Sequence, residues 1–175
     1  ILEPGDELPD RPGKETPENA DTAEFQLQVT VHQAEGVPRT NGNLANPYVS
    51  LLWANQHTQT RVADNTLSPQ WNEELTMKVL VEQSVDAPPR SDMVLVRLRE
   101  KKRVGIKEVA QGFVFLSDIQ NKQWEQPCWL NFYGAARKYD DPFLKKPAKS
   151  DVASMMNEGK ISGLAYRGRV LLSAT

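Results

Sequence analysis

Eight short segments rich in β-branched and aromatic residues recur along the chain, and clusters of Pro, Gly, Asn and Asp separate them. The first, FQLQVTVH, alternates apolar and polar residues, which places one face of a strand in a core and the other in water. The helical patterns that a parallel sheet would need between its strands are missing. We therefore predict an all-β fold, an eight-stranded antiparallel β-sandwich. The predicted strands are 25–32, 47–53, 58–62, 71–80, 93–99, 108–116, 128–133 and 168–175.

Composition divides the chain into a leading segment and one domain. Residues 1–24 contain four prolines and carry a net charge of −6, with almost no large apolar side chains. Such a segment cannot bury enough surface to offset its ordering entropy, and it is predicted to be a disordered linker. Residues 25–175 form the predicted domain, and they carry +4 because the whole chain carries −2. A long insert, 134–165, precedes the last strand, and Ser150 as N-cap and Gly159 just past the end frame a short helix within it.

Composition also argues against several protein classes. No apolar run approaches the roughly 20 residues of a membrane-spanning helix. The chain begins at Ile1 without a signal-peptide pattern, so we expect a segment of a longer protein. The single cysteine, Cys128, excludes an internal disulfide and fits a reducing compartment. His32 occupies a polar position of a predicted strand and His57 lies in a polar hairpin, and no catalytic or cofactor-binding arrangement is present. The aromatic residues do not interleave with the basic clusters, which argues against nucleic-acid binding.

The order of motifs in the first two thirds resembles the C2 domain family. AEGVPRTNGNLANPYVSLLW (34–53) and TQTRVADNTLSPQWNEELTMKV (58–79) follow the arrangement of its first strand, first loop, D-P-Y-V strand and N-P-x-W-N-E segment. The resemblance extends over residues 25–116 and implies the type II strand order. Pro69 and Trp71 agree with it physically, because a buried aromatic after a proline can anchor a corner.

The last third resembles ferlin C2 domains, and most of all the third C2 domain of a ferlin. The matching segments are WLNFYGAARKYDDPF (129–143) and NEGKISGLAYRGRVLLSAT (157–175). The resemblance implies membrane trafficking, with roles in vesicle fusion, membrane repair and regulated exocytosis. It also implies a location on the cytoplasmic side of a vesicle or plasma membrane, as part of a larger tail-anchored protein.

Calcium-binding C2 domains hold their ions with five carboxylates from two loops, and most of these are replaced here. The loop 1 positions are Thr40 and Asn46, which lack a negative charge. The loop 3 positions, anchored on EVAQGF, are Glu100, Lys102 and Glu108. A lysine ammonium repels a divalent cation and offers no lone pair. We therefore predict that calcium binding is absent or very weak, and that Lys102 occupies the charge space of the ion.

Loop 3 also collects basic and aliphatic residues in the segment EKKRVGIKE. One hypothesis is that its cations contact anionic phospholipid while Val104 and Ile106 enter the membrane interface. The alternative is an ordinary solvated hairpin with these two side chains tucked beneath it. Basic residues of the insert, between 137 and 149, form a second cluster that suits lipid, a partner domain or solvent equally. The candidate lipid-contacting residues are Arg39, Lys101, Lys102, Arg103, Val104, Ile106 and Lys107.

Two functions follow as expectations. The first is a non-catalytic, calcium-independent C2 module that attaches a ferlin-like protein to an anionic membrane through loop 3. The second is a structural or protein-interaction domain that docks other domains of the same chain, or protein partners, without direct lipid binding. Neither requires a metal or a cofactor.

Overall fold

A computed structural model describes residues 22–39, 43–82, 92–135, 150–160 and 165–175. Every strand pairing in these ranges is antiparallel. The strands are β1 (Thr22–Glu35), β2 (Pro47–Trp53), β3 (Gln56–Gln59), β4 (Gln70–Glu82), β5 (Met93–Lys101), β6 (Ile106–Phe115), β7 (Cys128–Gly134) and β8 (Ala165–Ala174), and the helices are α1 (Leu116–Gln120) and α2 (Ser150–Asn157).

The strands form one eight-stranded sheet in the order β3-β2-β5-β6-β7-β8-β1-β4, which folds into two layers of four strands, β3-β2-β5-β6 and β7-β8-β1-β4. A single residue pair, Gln111 with Tyr133, joins the layers between β6 and β7. Val29 and Leu172 of the second layer line the same small apolar cavity as Leu51 and Val96 of the first, so the core lies between the layers. The predicted all-β antiparallel fold is confirmed, with the first and last strands side by side as the type II order requires.

The pairing directions place four connections at one end of the sandwich, which we call the loop end. These are the β1–β2 connection, the β3–β4 connection, the hairpin between β5 and β6, and the β7–β8 connection that contains α2. We call the first three loops 1, 2 and 3. The starts of β1 and β5 and the end of β8 lie at the opposite end, together with α1.

Several predicted strand boundaries differ from the structure. β1 begins at Thr22, three residues before the predicted strand. The predicted strand 58–62 is wrong beyond Gln59, because the Thr60 hydroxyl accepts a hydrogen bond from the Val49 amide and donates one to the Arg61 carbonyl, ending the regular ladder. The predicted strand 108–116 is one residue too long at its end, because α1 begins at Leu116. Residues 1–21 of the predicted linker, and residues 136–149 and 161–164 of the insert, lie outside the described residues.

The predicted corner at Trp71 is present. The buried Trp71 donates its indole N–H to the Arg61 carbonyl at 2.9 Å. The Arg61 guanidinium returns a bond to the Trp71 carbonyl at 3.0 Å and forms an ion pair with Glu73. This network fastens loop 2 to the start of β4, which makes Glu73 a structural residue.

Helix α2 lies in the described part of the insert, and it packs on β6 and β7. The buried Asn157 accepts the Ala135 amide through its side-chain oxygen at 3.0 Å. Gly159 follows the helix with φ +71, as the sequence predicts for a residue past the end. Next to it, the Lys160 ammonium and the Ser154 hydroxyl hold the pKa of Glu158 below its usual value.

Candidate functional site

The tip of loop 3 projects its apolar side chains into solvent. The hairpin closes with a hydrogen bond from the Lys102 amide to the Gly105 carbonyl, and Gly105 has φ +77. Val104 is 88% exposed, and Ile106, at the start of β6, is 52% exposed. The interpretation in which these two side chains are tucked beneath the loop is therefore wrong.

Two cations flank this apolar tip. Lys101 and Arg103 are exposed, and neither forms an ion pair with any residue that the structure describes. Lys101 lies directly across the hairpin from Ile106, because the two residues pair in register. The tip thus presents aliphatic and cationic groups together, as a surface that contacts anionic lipid requires.

Lys102 does not belong to this exposed set. β5 alternates between its two faces, and Glu100, near its end, lies on the core side with 4% exposure. The Lys102 ammonium lies 3.7 Å from the Glu100 carboxylate. Lys107 is the cross-strand neighbour of Glu100 and lies on the same face. The inner side of loop 3 therefore has the Glu100 carboxylate beside the Lys102 ammonium, with Lys107 on the same face.

Glu108 points to the other side of the sheet. A bulge between Leu98 and Arg99 pairs Arg99 with Glu108 on the outer face, where their side chains form an ion pair at 2.6 Å. The predicted calcium positions Glu100, Lys102 and Glu108 are therefore not brought together. The structure brings together Glu100, Lys102 and Lys107 instead.

Loop 1 meets loop 3 through Asn46. Its side-chain oxygen accepts the Asn65 amide of loop 2 at 2.8 Å, so that oxygen is already engaged. Its main-chain carbonyl accepts the Lys101 amide at 2.9 Å, which fixes the base of loop 1 against loop 3. The other loop 1 position, Thr40, lies outside the described residues, and Arg39 is exposed beside it.

Leu44 is a residue of this end that the sequence reasoning missed. It is a large exposed apolar side chain in loop 1, two residues before Asn46. The signal was a leucine between asparagines in a predicted loop, where no core position is available to it. It adds a further aliphatic group to the loop end.

No group of His, Cys, Asp and Glu side chains within the described residues could hold a metal ion. His32 Nε2 and the Ser173 hydroxyl form a hydrogen bond of 2.9 Å across β1 and β8. None of the helices in the described ranges has the length and apolar character that crossing a bilayer requires.

The sandwich and its loop end correspond to a known protein family. The family model for the C2 domain matches residues 25–130. The chain belongs to the C2 domain family. This C2 domain is 27% identical to the mouse protein "Fer-1-like protein 4" over 86% of the chain, and 24% identical to mouse myoferlin over 82% of the chain. The chain spans 8% and 7% of the lengths of these two relatives.

Among solved structures, this C2 domain is similar to a structure of the paired C2 domains of extended synaptotagmin 2. The TM-score is 0.56 at 15% identity, over 85% of this chain and 39% of that one. The resemblance to ferlins is confirmed by the matches to ferlin-family proteins. The assignment to the third C2 domain of a ferlin stays a prediction.

The pair of Glu100 and Lys102 gives the first testable prediction. Lys102→Met removes the ammonium beside a buried carboxylate, so we expect the free energy of unfolding to fall by about 1–2 kcal/mol. Lys101→Met is the matched control, because Lys101 is exposed and forms no ion pair among the described residues. Urea unfolding measures both variants. Equal stabilities for the two variants would contradict the assigned partner of Glu100.

Proposed function

We propose that this C2 domain is a non-catalytic module of membrane trafficking that attaches to anionic membrane surfaces through its loop end, without calcium. The exposure of Val104, between cations at the tip of loop 3, carries the proposal. A solvent-exposed valine contributes no hydrophobic free energy to folding, whereas its transfer into a membrane interface is favourable.

The charge arrangement supports the same function. Lys101 and Arg103 are available to lipid headgroups, each contributing about 1 kcal/mol near an anionic surface. Leu44, Val104 and Ile106 supply apolar groups around them. In a cell such a surface would meet the cytoplasmic leaflet, where anionic lipids concentrate, and we place the domain there as part of a longer ferlin-like protein.

Calcium independence rests on the donors at the inner side of loop 3. Glu100 is paired with Lys102, Glu108 is paired with Arg99 on the opposite face, and the Asn46 oxygen accepts a backbone amide. A hard cation needs several anionic oxygens to displace its waters, and this site offers one carboxylate that already faces the Lys102 ammonium.

The loss of the calcium-binding carboxylates predicts how calcium affects the melting temperature of the domain. Calcium at about 5 mM is expected to leave the melting temperature of the wild-type domain unchanged, because an ion that does not bind cannot stabilise. Asn46→Asp/Lys102→Asp places two new carboxylates near Glu100, and calcium is expected to raise the melting temperature of that variant. Differential scanning fluorimetry compares the two. A rise of several degrees for the wild type would contradict calcium independence.

A second candidate function, protein docking, is favoured by a different surface. Met93, Phe113 and Phe115 are exposed on the outer face of the first layer, away from loop 3. Exposed apolar clusters of this kind often mark protein contacts. This function would leave the loops without a role.

Vesicle flotation separates the two candidates. Attachment through loop 3 predicts binding to vesicles that contain phosphatidylserine, no binding to phosphatidylcholine vesicles, and weaker binding as salt rises. A domain that only docks proteins would bind neither vesicle type at low salt, and that result would overturn the membrane proposal.

A further inference from the structure

Two exposed tyrosines face each other on the second layer. Tyr133 of β7 and Tyr166 of β8 pair in register, and their rings meet edge to face with centroids 6.1 Å apart. They are 50% and 48% exposed. They lie where β7 ends and β8 begins, which is the loop end of the sandwich.

The backbone around the tyrosines holds them in this position. The side chains of β7 alternate regularly here, so Phe132 is completely buried and Tyr133 faces solvent. A bulge in β8, which places one extra residue between Tyr166 and Arg169, brings Tyr166 opposite Tyr133. The Tyr166 ring lies against Gly36, where a Cβ would approach its Cε1 atom to 3.3 Å. Gly168, with φ +104, brings β8 so close to the end of β1 that a Cβ would lie 2.8 Å from the Glu35 carbonyl.

A series of main-chain hydrogen bonds connects this position to loop 3. Next to Gly36, the Val37 amide donates to the Leu67 carbonyl of loop 2. The Thr66 amide of loop 2 donates to the Ala45 carbonyl. The carbonyl of the next residue, Asn46, accepts a hydrogen bond from the Lys101 amide. The tyrosine pair and loop 3 are therefore parts of one rim, contributed by the two layers.

Tyrosine has the chemistry of a membrane interface, because its ring is apolar and its hydroxyl remains hydrogen-bonded to water or headgroups. We propose that Tyr133 and Tyr166 form a second point of membrane contact, at interfacial depth, on the opposite layer from Val104. This inference rests on the proposed membrane attachment of loop 3. Two points of contact, one from each layer, fix the tilt of the domain on the bilayer, which one loop alone cannot do.

The alternative is that the ring pair only stabilises the ends of β7 and β8. The chain provides a matched control for this alternative, because Phe113 and Phe115 also form an edge-to-face pair, with centroids 5.3 Å apart and exposures of 47% and 38%. This second pair lies toward the opposite end, on β6.

The experiment compares Tyr133→Ser/Tyr166→Ser with Phe113→Ser/Phe115→Ser in phosphatidylserine vesicle binding and in thermal unfolding. We expect the tyrosine variant to bind about tenfold more weakly than the wild type, through the loss of apolar contact. We expect the phenylalanine variant to bind as the wild type does. Normal binding by a folded tyrosine variant would overturn the inference.

A labelled protein keeps the test decisive if the tyrosine variant does not fold. Cys128 is the single cysteine, so Cys128→Ser with Tyr166→Cys accepts one environment-sensitive fluorophore. Its emission is expected to shift to the blue on phosphatidylserine vesicles, whereas a label at Phe113→Cys in the same background is expected to remain unchanged. An unshifted label at position 166, on protein that is bound to vesicles, would overturn the inference.

The two proposals fail differently. If the wild-type domain does not bind these vesicles, both the membrane attachment and the tyrosine contact are refuted. If wild-type binding depends on Lys101 and Arg103 but not on the tyrosines, the membrane attachment stands and the tyrosine contact is refuted.

Discussion

Lys101→Glu/Arg103→Glu is expected to weaken binding to phosphatidylserine vesicles by at least about 30-fold. Each cation near an anionic surface is worth about 1 kcal/mol, and two such losses correspond to that factor before the repulsion of the new carboxylates is added. The exposure of both side chains means that folding should not change. Lys102 is left intact in this variant because it is the partner of the buried Glu100. Titration with vesicles gives the two affinities.

The matched control for charge is Lys78→Glu/Lys122→Glu, which changes the net charge by the same amount on surfaces away from loop 3. Lys122 follows α1 at the opposite end, and Lys78 lies in the second half of β4, where its ion pair with Glu24 is exposed to solvent. We expect this variant to keep most of its vesicle affinity. Equal losses for the two double variants would mean that net charge, and not the loop 3 surface, determines binding.

Trp71→Ala is expected to cost about 3–5 kcal/mol of unfolding free energy. The residue is buried in the core, and its indole N–H satisfies the Arg61 carbonyl. Removal leaves a cavity and loosens the attachment of loop 2 to β4. For a domain of this size the melting temperature should fall by roughly 10 °C.

Trp129→Ala is the control for the loss of an indole. Trp129 is half-buried, and the Arg169 guanidinium stacks 4.2 Å from its ring centroid. A partly exposed cation–π contact is worth about 1 kcal/mol, so its removal should shift the transition much less. A Trp71→Ala variant no less stable than Trp129→Ala would contradict the role of the Trp71 corner.

Much of the fold could be predicted from sequence because apolar and polar side chains alternate along several strands with the two-residue period of a β-strand. FQLQVTVH and PYVSLLW both proved to be strands, and Pro69 and Trp71 marked the corner correctly. The end of β3 could not be predicted, because it depends on the hydrogen bond that the Thr60 hydroxyl accepts from Val49 on the neighbouring strand.

The candidate site was predicted less well, because the strand register decides which face of the sheet each of its side chains occupies. The sequence predicted Glu108 beside Glu100, but the bulge after Leu98 shifts β6 by one residue and turns Glu108 to the outer face. A one-residue shift in a strand exchanges its two faces, and a bulge is not visible in the pattern of residues. The exposure of Tyr133 follows from the regular alternation of β7, but its pairing with Tyr166 depends on a second bulge, in β8, and was likewise beyond prediction.

The central claim is attachment to anionic membrane through the loop end without calcium. The most direct test is co-sedimentation of the wild-type domain with phosphatidylserine vesicles, in a calcium chelator and in calcium. We predict equal binding in both conditions. Binding that appears only when calcium is present, or no binding in either condition, would contradict the claim.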